Sequence, residues 1–265
     1  MSGDDYLLDN QQVQAGQRFD ALASLFNAST FRHLDALGLD LGWRVWEVGA
    51  GGPSVPAWIA SRTATTVLAT DIDTTWLHDL GESVEVRRHD VGADPAPGGD
   101  FDLVHARLVL VHLPSRAEVA ASLARALRPG GWLVLEDADP ALQPLACVDE
   151  RGPDEALANR IRAGFRALLA ERGADLAFGR TLPRLLRDVG LVDVRADASF
   201  PVAGPVSAAL ERITVEQLRD ALVGCGAATG AEIDRHLDNL SAGGLDVTTA
   251  PLVSARGRRP GAPAA

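Results

Sequence analysis

Three acidic residues, Glu47, Asp71 and Asp90, pose the first chemical question. Each follows a short apolar run, in "RVWEVGAGG", "TVLATD" and "VEVRRHD". Such runs alternating with helical segments read as strands of a parallel sheet, and ligands of such sheets bind beyond the strands' carboxyl ends. The turn from Gly49 to Gly51 could cradle a dinucleotide's pyrophosphate or hold something positively charged. A dinucleotide fingerprint, G-x-G-x-x-G, needs a third glycine where the helix packs on the strand. Ser54 takes that place, and Pro53 stands where a relaxed G-x-G-x-G would end. Proline suits a helix's first turn, because its φ is preset and its missing N–H had no partner there. Glu47 weighs more. A carboxylate facing the crevice repels a pyrophosphate and attracts an ammonium group or a cationic sulfur. Asp71 suits ribose hydroxyls in either class of site. Asp90 can accept from an adenine amino group, or serve as a turn residue before Gly92.

A ligand with adenosine and a positive charge but no phosphate fits these three carboxylates, and S-adenosylmethionine has that composition. The chain resembles the class I S-adenosylmethionine-dependent methyltransferases, in the small-molecule branch. The matching stretches are "EVGAGGPS", "VLATDID", "RRHDV", "FDLVHARLVLVHLP" and "LRPGGWLVLED", and they span Trp43 to about Asp139. Pro53 departs from the usual last glycine of the first motif. The resemblance implies that Glu47 and the Gly49–Ala50–Gly51 turn hold the methionine part of the cofactor. It gives Asp71 the ribose hydroxyls and sets Ile72 against the adenine face. Asp90 then bonds the adenine amino group with the Val91 backbone beside it, and the backbone near Ala106 and Arg107 faces the cofactor's amino end. It also implies a doubly wound, Rossmann-like α/β fold with a seven-stranded sheet ordered 3-2-1-4-5-7-6, the last strand antiparallel. Val247–Arg256 would fill that last slot.

The implied reaction is methyl transfer to a small organic molecule, with oxygen the favoured acceptor and secondary metabolism the setting. The enzyme's task is to align acceptor and methyl in a dry pocket and, for a hydroxyl, to take up a proton. No lysine is present; all 25 basic residues are arginine, so Schiff-base and P-loop lysine chemistry is excluded. His112, just past the fourth expected strand, is the candidate base, and His236 is the reserve. His112 can equally be a packed side chain in "LVLVHLP". His89 should precede the adenine site, and His33 and His78 are expected on helices away from the fourth strand's end. Glu136, Asp137 and Asp139 follow the fifth strand and either line the substrate pocket or form a solvated turn. Tyr6 and Arg18 could reach the cofactor's carboxylate or be ordinary surface. Two rivals remain: an NAD-dependent oxidoreductase, disfavoured by Glu47 and Ser54, and a non-methylating cofactor-binding protein on this fold, a cyclase or scaffold.

The elements that must position these groups follow from periodicity. Apolar spacing predicts a helical cap over residues 1–40. Strands are expected at Val45–Val48, Thr66–Thr70, Val84–Arg88, Phe101–His105 and Trp132–Glu136. Helices are expected at Pro53–Arg62, at Thr74–Leu80 with Asp73 as cap, and from a Ser115-x-x-Glu118 capping box to Leu127, where "RPGG" stops the chain. Beyond Pro140 come helices at Asp154–Glu171 and Leu182–Val189, a sixth strand in "LVDVRADASFPVA", and helices over Pro205–Leu240 broken near Ile213–Thr214 and at Gly224–Gly230. The core domain then runs over 41–257, with helical lid insertions at about 141–182 and 204–243 that roof the pocket. A flexible tail occupies 258–265.

Composition bounds the partners. The 265 residues suffice for a full α/β core. A net charge of −11 disfavours nucleic acid. No apolar run approaches a membrane span, and "MSGDDYLLDN" has no signal-peptide pattern, so a cytoplasmic location without membrane contact is expected. Cys147 and Cys225 have no metal-ligand spacing and read as reduced, packed side chains; no metal site is expected. A small-molecule substrate is the expected partner, and a homodimer stays open.

Overall fold

A computed structural model describes residues 13–261. Tyr6 and residues 262–265 lie outside the described residues. The chain opens with helix α1 (Val13–Asp35), then alternates β1 (Val45–Val48), α2 (Ser54–Thr63), β2 (Val67–Asp71), β3 (Val84–Arg88) and β4 (Phe101–Arg107). A 3-10 turn (Leu110–His112) leads to α3 (Arg116–Ala126) and β5 (Leu127–Ala138). There follow α4 (Pro153–Glu171), α5 (Leu182–Asp188), β6 (Val192–Ser199), α6 (Pro205–Gln217), α7 (Arg219–Gly224), α8 (Gly230–Ser241) and β7 (Leu252–Arg258). The sheet has seven strands in the order 3-2-1-4-5-7-6. β7 runs antiparallel to both β5 and β6, while the remaining pairings are parallel. This is the order expected from the sequence.

The central strands are nearly all apolar because both faces of a parallel sheet are covered. Trp46, Val48, Leu68, Val104, Ala106, Leu133 and Leu135 form one face and pack with α3 and α5 through Val119, Leu123, Leu182 and Leu186. Val45, Val67, Ala69, Leu103 and Val134 form the other and pack with Leu34 of α1 and Val55 and Ile59 of α2. α2 begins directly after Pro53 and ends where Ala64 turns left-handed, at φ 50°.

Several expected elements differ. No helix occupies Thr74–Leu80. Asp73 instead accepts from the N–H and the hydroxyl of Thr75, closing a local turn, and only Leu77 of residues 71–80 is buried, so a helix there would have no face to pack. His78 accordingly sits in an exposed loop beside Asp79, not on a helix. Ser115 precedes α3 but makes no capping bond; its ψ of 34° departs from the extended conformation that a cap needs. "RPGG" does not end α3. The helix stops at Ala126, and those residues enter β5 through a register shift against β4. Gly131 is required there, since a Cβ would lie 2.7 Å from the Phe101 carbonyl oxygen. The break after α6 falls at Leu218, not at Ile213–Thr214. β7 begins at Leu252, not Val247, and it reaches Arg258, with Arg259 donating to the Gly131 carbonyl at 2.8 Å. The strand therefore reaches the expected start of the flexible tail, and Arg259 beyond it is still hydrogen-bonded.

The chain divides into two compact units. Of the described residues, the sheet unit holds 27–138, 178–199 and 252–261. The helical unit holds 13–26, 139–177 and 200–251. In the helical unit, Leu157 and Ile161 of α4 pack with Val215, Leu218, Leu222 and Ile233. α8 starts with a complete capping box, Thr229 with Glu232, that the sequence reading passed over. Cys147 is buried there, and burial pushes its thiol up to about 11. Cys225 is exposed, which corrects the expectation that both cysteines pack. Among the described residues, no helix is long and apolar enough to cross a membrane, and no group of three or more His, Cys, Asp or Glu could hold a metal.

Candidate functional site

The carboxyl end of β1 runs into the glycine turn. Gly49 and Gly51 both adopt positive φ, at 60° and 63°. Gly49 is needed twice over, since a Cβ there would collide with the Val109 side chain. The Ala50 N–H donates to the Thr70 carbonyl at 3.0 Å, and the Gly51 N–H donates to Asp71 Oδ2 at 2.9 Å. Asp71 Oδ1 accepts from the Asp73 N–H at 3.0 Å. Asp71 thus braces the turn from the next strand, and burial raises its pKa against the pull of those amides. Beside it Ile72 stands 55% exposed, an apolar side chain open at the sheet's ligand edge. Asp90, two residues past β3, is a turn residue: Oδ1 accepts from the Gly92 N–H at 2.9 Å, and its own N–H donates to Asp94. Val91 is half-buried against the core.

A row of polar side chains crosses the sheet face beneath α1. Glu47 of β1 lies opposite His105 of β4, and Glu136 of β5 lies opposite Ser254 of β7, which lies opposite Asp197 of β6. Glu47 Oε2 meets His105 Nδ1 at 2.6 Å, and His105 Nε2 lies 3.4 Å from Glu136 Oε2. Glu136 also accepts from the hydroxyls of Thr30 and Ser254, each at 2.5 Å. His33 of α1 bridges Glu136 at 3.4 Å and Asp197 at 2.8 Å. Arg107 donates to Asn27 and Thr30. Glu47, His105 and Glu136 are 2%, 0% and 0% exposed. Burial alone would lower the His105 pKa, but Glu47 and Glu136 overcome it and raise it to about 9. Burial likewise opposes ionisation of Glu136, yet His105 and His33 hold it below the usual carboxylate range. The bond to Glu136 leads in raising the His33 pKa.

This row was missed in the sequence. Glu47 pairs with neither Arg44 nor Arg62, the arginines on either side of it in sequence. Arg44 donates to the Gly99 carbonyl, and Arg62 pairs with Asp35. His33 is on a helix, as expected, but it meets Glu136, the residue opposite Arg107 at the end of β4, so it is not remote from that strand's end. The available signal was a charged residue inside each of "VWEV", "LVHAR" and "LVLED". Such residues in fully covered strands need partners, and their alternation puts them on one face.

The other expected residues disperse. Glu136, Asp137 and Asp139 are all buried, so they form no solvated turn, and they do not converge. Asp137 is held by the backbone N–H groups of Val111 and Leu110, and burial raises its pKa well above the ordinary value. Asp139 belongs to the helical unit, where it accepts from the Leu142 N–H. Ala106 is buried in β4; just beyond Arg107, Leu108 turns left-handed at φ 58° and donates to the Glu136 carbonyl. His112 closes the 3-10 turn after β4, half-buried. His89 is buried behind β3, edge-on to Trp46. In the helical unit, Arg18 is buried and donates to Gln217. His236 there is fully buried, 3.8 Å from Glu211, and burial lowers its pKa.

Comparison with known proteins bears on this arrangement. Residues 46–135 match the model of a methyltransferase domain family. The chain is 32% identical to nocamycin O-methyltransferase of Saccharothrix syringae over 91% of its own length and 96% of that protein. The chain belongs to the class I S-adenosylmethionine-dependent methyltransferases. It is 31% identical to methyltransferase str3 of Strobilurus tenacellus over 43% of each chain, so it spans less than half of that relative. Phosphoethanolamine N-methyltransferase 2 of Haemonchus contortus, solved with S-adenosylhomocysteine, superposes with a TM-score of 0.57 at 16% identity, over 96% of this chain and 59% of that one; the likeness is one of fold. Membership of the methyltransferases decides for S-adenosylmethionine over a dinucleotide as cofactor. The residues present fit it: a glycine turn at left-handed φ, a braced Asp71, and an exposed Ile72 beside it.

Proposed function

We propose that this methyltransferase moves the methyl group of S-adenosylmethionine to a hydroxyl of a small organic acceptor, in secondary metabolism. The observation that carries the cofactor half is the sheet edge where β1, β2 and β3 lie side by side, with Glu47 and Asp71 in the last two residues of β1 and β2, Asp90 two residues past β3, and the Gly49–Gly51 turn beside them. The oxygen acceptor is supported by the match with nocamycin O-methyltransferase, which extends over nearly all of both chains.

On this reading Glu47 and the Gly49–Ala50–Gly51 backbone hold the methionine end, with the backbone of Ala106 and Arg107 beside it. Asp71 accepts from the ribose hydroxyls with the lone pairs that Gly51 and Asp73 leave. Ile72 covers the adenine, and Asp90 and Val91 read its amino edge. The bound cofactor supplies a methyl already activated by its sulfonium. The chain's own work is alignment, exclusion of water and proton uptake. His112 accepts the acceptor's hydroxyl proton as the oxygen–carbon bond forms, and His236, kept neutral by burial, is the second candidate. The acceptor is a small molecule in a chain of net charge −11, which does not suit nucleic acid.

The test is transfer of labelled methyl from S-adenosylmethionine into hydroxylated small molecules, beginning with the unmethylated acceptor of the Saccharothrix enzyme. Labelled ether product supports the reading. Cofactor binding with no transfer across the panel would favour the cyclase or scaffold alternative.

A further inference from the structure

We propose that His105 is a positioning residue for the methionine-end subsite: clamped between Glu47 and Glu136, it fixes the carboxylate that receives the cofactor's cationic end. The proposal rests on the cofactor placement given above and adds to it a residue that does not itself touch the ligand.

The geometry argues as follows. Glu47 is buried two residues before Gly49, so its orientation decides where a negative charge meets a ligand held by the glycine turn. Among the described residues, the Glu47 side chain takes one hydrogen-bond partner, His105 at 2.6 Å. His105 is itself wholly buried, and its other ring nitrogen points to Glu136. Glu136 in turn is tied by Thr30 and His33 of α1 and by Ser254 of β7. The imidazole therefore has no freedom to rotate without breaking bonds on both sides. Arg107, two residues along β4, adds positive charge near both carboxylates. His105 and Arg107 set positive charge against the two carboxylates of the row, Glu47 and Glu136. Remove the imidazole and two buried carboxylates lose the group between them. Glu47 then loses the partner that holds its side chain in place before the turn. A row built only for stability could have been apolar, as the neighbouring Val45, Leu103 and Val134 are.

The test separates a subsite role from general support by using two ligands. S-adenosylhomocysteine carries the amino-acid end; 5′-methylthioadenosine carries the same adenosine without it. His105→Leu is expected to weaken the homocysteine ligand by about tenfold or more, the scale of a lost hydrogen bond to a charged group, and to leave methylthioadenosine within about twofold. Glu47→Gln should give the same selective loss, and the double variant should be no worse than either alone. Equal weakening of both ligands, or of neither, overturns the proposal. If His105→Leu does not fold, His105→Asn decides. Its amide can still donate to Glu47 from the Nδ1 position, so the wild-type preference between the two ligands should persist; a folded His105→Asn protein without that preference overturns the proposal. Failure of the wild-type protein to bind either ligand would instead refute the cofactor placement, a distinct result.

Discussion

At the scale of single residues, two side chains carry separable predictions. His112→Ala is expected to keep cofactor affinity while turnover on a hydroxyl acceptor falls by about 10²–10⁴. The deficit should shrink as pH rises and the acceptor ionises unaided. Steady-state rates from pH 6 to 10 check this, and an unchanged profile would make His112 a packing residue of the turn after β4. Gly49→Ala should impair both folding and cofactor binding, because φ is 60° and the new Cβ meets Val109. Adding Val109→Ala removes the collision but leaves the left-handed backbone, so it should recover part of the loss and remain short by about 1 kcal/mol. Thermal melts of both variants measure that remainder. The glycine turn after β1 and the place of Asp71 at the end of β2 were legible in the sequence, because both follow from local position at a strand's end. The partner of Glu47 was not. A salt bridge between residues 47 and 105 depends on which strands lie side by side, and that is decided by topology, not by neighbours in the chain.

At the scale of elements, the polar row under α1 makes stability depend on pH. His105 has its pKa raised to about 9, so its contribution is complete below the unfolded value near 6.5. That contribution is lost as pH climbs through about 9. Glu136 is depressed, so its contribution is present above the unfolded carboxylate range and lost as pH falls through its folded value. The melting temperature should therefore decline between about pH 6.5 and 9, and His105→Leu should flatten that decline. A wild-type slope retained in the variant would assign the effect elsewhere. Elements were readable where burial imposes a pattern: β1, β2 and β4 are largely apolar and appear close to where periodicity placed them. The Thr74–Leu80 segment misled because a cap residue alone does not make a helix. Asp73 spends its carboxylate on Thr75, and the segment has almost no apolar face. The same pattern of Ser or Thr followed three residues later by Glu occurs at Ser115 and Thr229, and only Thr229 caps. Its backbone is extended, with ψ at 163°, and that of Ser115 is not.

At the scale of the whole molecule, the sheet unit matches what its motifs implied, down to the antiparallel β7 between β5 and β6. The helical unit was readable only as helices. Its partners, such as Arg162 with Glu211 at 2.5 Å, join segments 49 residues apart, and no spacing rule announces them. The central claim is that the edge formed by Glu47, Asp71 and Asp90 takes an adenosine bearing a cationic amino-acid end. Calorimetric titration of the purified chain with S-adenosylhomocysteine and with NADH tests it most directly. The expected result is saturable binding of the homocysteine ligand, weakened by about 1–3 kcal/mol in Asp71→Ala, and no saturable binding of NADH. Tight NADH binding with no response to S-adenosylhomocysteine would contradict it.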